Sequence, residues 1–159
     1  MIFSVILGIY TGILFSAFNA RPLWNTSILG PLFLASGMSA GAAAIILMSK
    51  DHAERLLMTK IDLIILGVEL FFVTHMFMGF LASTQVQIEA AELFLGGPYT
   101  VVFWVFVVML GIILPALLDV MELRGYHIPA LIPGTLVLFG SLMLRFIFAF
   151  AGQESRWLY

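Results

Sequence analysis

Hydrophobic residues in this chain come in five continuous runs rather than in alternation with polar ones, at residues 1–18, 30–48, 61–82, 99–121 and 131–151. Each run is close to the ~20 residues that an α-helix needs to cross a bilayer, and about twice what a membrane β-strand needs. The pattern predicts an all-α fold, an integral membrane bundle of about five transmembrane helices that forms one domain over residues 1–159. Polar segments separate the runs. The first is the turn Asn19-Ala20-Arg21-Pro22-Leu23-Trp24-Asn25, where Pro22 ends a helix and Arg21 and Trp24 suit the headgroup boundary. A partly amphipathic stretch follows at 49–60, then a Gln- and Glu-bearing segment at 83–98 that ends in Gly96-Gly97-Pro98, then a loop with Arg124, Gly125 and Pro129.

Composition agrees with a chain dissolved mainly in lipid. Hydrophobic residues make up 62% of it and charged residues only 10%, against about a quarter in ordinary soluble domains. The formal charge of −2 leaves no basic stripe to neutralise phosphates, which argues against a nucleic-acid partner. Cysteine is absent, so the chain holds no disulfide, cysteine nucleophile or thiolate-ligated iron–sulfur cluster; any such cluster belongs to a partner. Counted on alternate sides, Lys50, Arg55, Lys60 and Arg124 share one face of the membrane, and Arg21 and Arg156 the other. The basic excess marks the first face as cytoplasmic, with the N-terminus inside and the C-terminus outside. The opening run lacks the basic leader and cleavage site of a signal peptide and reads as a first span, with the expectation that the chain is part of something longer.

Ionisable residues inside the runs are the candidate chemistry. A charge at the bilayer centre costs about 2.5–3.5 kcal/mol on insertion scales, so each should face protein or water and have a partner. Asp62, Glu69 and His75 lie on the third run, Asp119 near the end of the fourth and Arg145 in the fifth. Asp62 and Glu69 are seven residues apart, nearly on one helix face and separated by ~10 Å along the axis. Two accounts fit these residues. In one, Arg145 pairs with Glu69 or with carbonyls, while Asp62 and Asp119 cap span ends. In the other, Asp62, Glu69, His75, Asp119 and Arg145 form a proton path across part of the bilayer. His75 is the single histidine within a run, so the chain lacks the paired axial ligands of a b-type haem; with His52 and His127 in loops, no metal site is expected.

Two further features carry weaker signals. Gly37 and Gly41, with Ser36, Ala40 and Ala44 at the same spacing, read as helix packing or as a groove for a flat ligand. Tyr10-Thr11-Gly12, followed by Asn19 and Arg21, offers hydrogen-bond donors near the outer interface that can hold a quinone carbonyl.

Several blocks carry a resemblance: Tyr10-Thr11-Gly12, Ala20-Arg21-Pro22-Leu23-Trp24-Asn25-Thr26, the stretch from Leu34 to Ala43, Gly111-Ile112-Ile113-Leu114-Pro115, Leu144-Arg145-Phe146 and Ala151-Gly152-Gln153. Together they resemble the NrfD / polysulfide reductase membrane-subunit family, over essentially the whole chain. The resemblance implies a membrane subunit in a prokaryotic inner (cytoplasmic) membrane that passes electrons between the quinone pool, menaquinone or ubiquinone, and an iron–sulfur partner in a respiratory complex, with proton translocation. It implies a quinone contact at Tyr10, and an outer quinone site close to the partner on the side of the Arg21 turn. Family proteins carry eight spans in two four-helix bundles, and this chain is similar to the fourth span plus the second bundle. The first bundle, which supplies most of the quinone pocket in the family, lies outside this chain. A structural anchor without its own quinone site, and a small ion transporter, are the alternatives.

Overall fold

The computed structural model describes residues 2–17 and 20–155. Six helices follow in order: α1 Ile2–Ser16, α2 Leu29–Met48, α3 His52–Leu81, α4 Gln85–Leu95, α5 Val102–Leu123 and α6 Leu131–Glu154. Among the described residues there is no strand. Helices α2, α5 and α6 are long and apolar enough to cross a membrane. The other two expected spans fall on the 15 residues of α1 and on the second part of the 30-residue α3. Helices α2, α3, α5 and α6 form a ring in which each packs on the next, and α1 lies outside against α2.

Local sequence explains where the helices begin and change. Pro31 occupies the first turn of α2, where a missing N–H removes no hydrogen bond. The polar stretch at 49–60 is not a separate segment: Asp51 caps the start of α3 by accepting from the Ala53 N–H at 3.1 Å, and the helix then runs unbroken to Leu81. The segment at 83–98 contains a helix as well. Ala90, Ala91 and Phe94 give α4 one buried face. The Trp104 indole N–H binds the Phe94 carbonyl at 2.9 Å, and the Gln87 amide reaches the Asn25 carbonyl at 3.1 Å. Helix α5 is π-wound over Val102–Ile113 and returns to α geometry at Leu114, beside Pro115.

Packing is closest where glycines face one another. Gly12 of α1 lies against the backbone of Leu29 and Gly30, and Gly111 of α5 lies against Gly140 of α6, so neither crossing leaves room for a Cβ. In lipid, such close backbone approach is a main source of helix association.

The two ends of the ring differ. At one end the 20–28 turn, α4 and the end of α6 meet; Arg21 donates to the Ser155 carbonyl at 2.5 Å. Phe77, Phe94, Phe103 and Phe148 are buried beneath them, with the Phe94 ring centre 5.1 Å from Phe103 and 5.6 Å from Phe148. At the other end Arg55 of α3 reaches Glu122 of α5. Alternate connections therefore share a face, as the orientation drawn from the basic residues requires; Asn19 and Arg156 lie outside the described residues.

Trp24 in the 20–28 turn is buried, with its indole N–H donating to the Phe148 carbonyl at 3.0 Å and its ring stacked 4.9 Å from Phe15. A buried indole needs a partner for its N–H, and the α6 backbone supplies one. Gly152 leaves the space: a Cβ there would overlap the indole ring. Gly152→Ala should therefore dislodge Trp24 and lower stability by about 1–3 kcal/mol in detergent. Thermal unfolding followed by tryptophan fluorescence tests this, and an unshifted transition with unchanged emission would contradict it.

Candidate functional site: a buried polar track

The buried face of α3 runs through Thr59, Asp62, Leu66, Glu69, Val73, Met76 and Phe80, at alternating steps of three and four residues. That spacing keeps a seam turned toward a neighbouring helix. Helix α2 answers with Leu29, Leu32, Ser36, Ser39, Ala43 and Ile46. The two helices pack along this seam, so short hydroxyl side chains on α2 stand where α3 presents its acids. The Ser39 hydroxyl donates to Asp62 Oδ1 at 2.6 Å, and Ser36 stands near Glu69. The small residues of α2 thus make room for carboxyl groups as well as for a helix.

From Glu69 the polar line continues across to α6. The Ser36 and Ser141 hydroxyls are 3.0 Å apart, and Ser141 also donates to the Ser36 carbonyl at 3.1 Å. Arg145 donates through Nη1 to the Ser141 hydroxyl, and to the Ser141 carbonyl at 2.8 Å. Its Nη2 reaches toward the Phe33 carbonyl at 3.5 Å, and the guanidinium lies 5.9 Å from the centre of the Phe33 ring. Gly37 lies beneath it: a Cβ there would stand 3.3 Å from Nη2. Arg145 and Glu69 interact electrostatically without a direct ion pair, because the serines stand between them.

In the other direction the track passes to α5. Asp119 lies within electrostatic reach of Asp62 and of Glu122. Asp62 is 2% exposed, Glu69 4% and Asp119 1%, so all three are buried among the helices. Arg145 donates its hydrogen bonds to carbonyls and a serine hydroxyl.

The remaining expected site residues lie elsewhere. His75 is on the exposed face of α3, stacked on Phe71 with ring centres 5.7 Å apart. Tyr10 lies on α1 with 56% of its surface exposed, and Arg21 is half-buried against Ser155. Of the Gly37–Gly41 pair, Gly37 receives Arg145, whereas nothing approaches Gly41. No cluster of three potential metal-ligating side chains occurs among the described residues. The sequence singles out Ser36 only as a small packing residue, and Ser39, Ser141 and Glu122 not at all. The available signal was two hydroxyls three residues apart in an otherwise apolar span, which places both on one helix face.

Helices long and apolar enough to cross a membrane, packed around four buried acids and a part-buried arginine, define a multi-pass membrane protein with an ionisable core. The chain belongs to the NrfD family: the family model described as "Polysulphide reductase, NrfD" matches residues 1–155. It is 37% identical to Protein NrfD of Escherichia coli (strain K12) over 96% of this chain and 51% of that protein. It is 32% identical to the Protein NrfD homolog of Haemophilus influenzae, over 96% of this chain and 50% of that protein. With a polysulfide reductase chain from Wolinella succinogenes the identity is 31%, over 96% of this chain and 51% of that protein. The chain thus spans about half the length of these curated relatives. No solved structure matches it.

The Ser39–Asp62 contact has a measurable consequence. Ser39→Ala removes the donor to a buried carboxyl and should cost about 1–3 kcal/mol. Asp62→Asn combined with Ser39→Ala should cost less than the sum of the single changes. Strict additivity in detergent unfolding would show that the two side chains do not depend on each other.

Proposed function

We propose that this chain is part of the membrane subunit of a reductase complex, one that exchanges electrons with quinone and carries protons along its buried track. Family membership and the names of the relatives, a polysulfide reductase chain among them, support the reductase assignment. The observation that carries the proton reading is the line of side chains through the bundle: Arg145, Ser141, Ser36 and Glu69, then Asp62 with Ser39, then Asp119. A hydroxyl both donates and accepts, so Ser36 and Ser141 can pass a proton between the Glu69 carboxyl and the neighbourhood of Arg145. Arg145 keeps a positive charge beside the track, which favours a negative Glu69 without locking it in an ion pair. Between Asp62 and Glu69 the seam is filled by Leu66, and the ~10 Å between the acids is a distance that about three waters would bridge.

In this reading quinone meets the chain on the side of α1 and the 20–28 turn. The Tyr10 phenol can donate to a quinone carbonyl, and Arg21 holds the turn to the end of α6. The redox centre that receives the electrons is an iron–sulfur partner, since this chain has no cysteine to hold one. The Arg21 end faces outward and the Arg55 end faces the cytoplasm, by the distribution of basic residues.

The whole complex, reconstituted in vesicles and driven by quinol, tests both parts. Glu69→Gln should reduce proton movement about tenfold or more while the complex stays assembled. If proton movement were unchanged, or if only assembly were lost, the acids would serve as structural anchors. Tyr10→Phe combined with Arg21→Ala should slow quinol oxidation about tenfold; an unaffected rate would place the quinone contact elsewhere.

A further inference from the structure

At the Arg55 end of the ring a cleft of about 230 Å³ opens between the start of α3 and the loop after α5. His52, Arg55, Glu122, Tyr126 and His127 line it. Glu122 lies at its inner edge, with only 4% of its side chain exposed. Arg55 holds one of its two oxygens, Oε1, through Nη2 at 2.8 Å and Nε at 3.2 Å. The other oxygen, Oε2, is buried without a partner, and so is Oδ2 of Asp119, three residues earlier on the same helix. An ion pair built only to tie two helices would engage both carboxylate oxygens, because an unsatisfied buried oxygen is destabilising. Two such oxygens in succession, running inward from a polar cleft toward Asp62, form a place where water or a proton completes the bonding.

The opposite end of the bundle is built differently. There Phe77, Phe94, Phe103 and Phe148 fill the interior beneath α4. The polar line therefore has an aqueous approach at the Arg55 end and an aromatic stopper at the other.

We propose that this cleft is the aqueous mouth of the buried track, that Glu122 is the carboxyl that takes up and releases protons there, and that its ion pair with Arg55 is the gate. The proposal rests on the proton-carrying reading given above. The groups around Glu122 are Asp119 from its own helix, Arg55 and His52 from α3, and Tyr126 and His127 from the following loop. When the pair is closed, Arg55 holds Glu122 negative and covers the way to Asp119. When Glu122 gains a proton, the attraction that holds Arg55 is lost, and Asp119 comes within reach of water. The proton then moves from the Glu122 oxygen to the Asp119 oxygen, and Arg55 closes again on the carboxylate left behind. No bond other than O–H is made or broken.

The absence of cysteine makes this gate directly testable in the complete complex. Asp119→Cys places a thiol behind Arg55, and a small charged thiol reagent added to oriented membranes reports access to it. Labelling of this chain should occur from the Arg55 face and rise at least tenfold when Arg55→Ala is added. A thiol at Phe94 should stay unlabelled from that face. Equal labelling of Asp119→Cys with and without Arg55, or labelling from the opposite face, would overturn the gate. In quinol-driven vesicles, Glu122→Gln should lower proton movement at least tenfold and Glu122→Asp should restore much of it. If Glu69→Gln abolished proton movement while Glu122→Gln did not, the track would stand and the mouth would lie elsewhere. If neither change mattered, the track reading itself would fail.

Discussion

Inside a bilayer, a charge that water cannot reach has to be met by the protein, and this requirement shapes the seam between α2 and α3. Asp62 and Glu69 occupy core positions on a stripe that is otherwise apolar toward its far end. They are tolerable there because α2 offers serines opposite them, with Ser39 bound to Asp62 at 2.6 Å. A run of large apolar residues on α2 would leave both carboxyls without donors and would also hold the helices apart. Small side chains settle both problems, since they shorten the distance between helices and bring hydroxyls to the acids. The same economy recurs at Gly37, where the missing side chain gives Arg145 a place between α2 and α6.

The bundle is polarised along its length. Toward the α4 end the interior is aromatic and tightly closed, helped by Trp24 bonded to Phe148 and by Trp104 bonded to Phe94. Toward the Arg55 end it becomes polar, and the Arg55–Glu122 ion pair there uses half of a carboxylate. The polar line ends near Arg145, between α2 and α6.

Helix α5 shows how far a backbone detail can reach. Its first twelve residues are π-wound, and a π-wound stretch advances by a smaller angle per residue than an α-helix does. The face presented after Ile113 is therefore not the one that a 3.6-residue period would assign, and it is the face that carries Asp119 and Glu122 toward α3. The close contact of Gly111 with Gly140 lies within this wide stretch, where the helix backbone comes right against α6.

Much of the architecture was legible in the residues alone. Continuous apolar runs of span length admit only helices in lipid, because every backbone polar group must be satisfied within its own segment. The rarity of charges in those runs singled out Asp62, Glu69, Asp119 and Arg145 as groups that need partners. What those partners are was decided by the tertiary structure. Ser36, Ser39 and Ser141 look like ordinary small residues until three helices bring them to the acids and the arginine. That α6 supplies a carbonyl for the Trp24 indole and Gly152 an opening for its ring, and that His75 lies off the face of α3 that carries the acids, shows only once the helices are packed. The division has a physical cause. Solvent and helix length act on each segment separately and leave their mark in composition, whereas rotation about a helix axis and the meeting of side chains 67 or 105 positions apart exist only once the helices are packed.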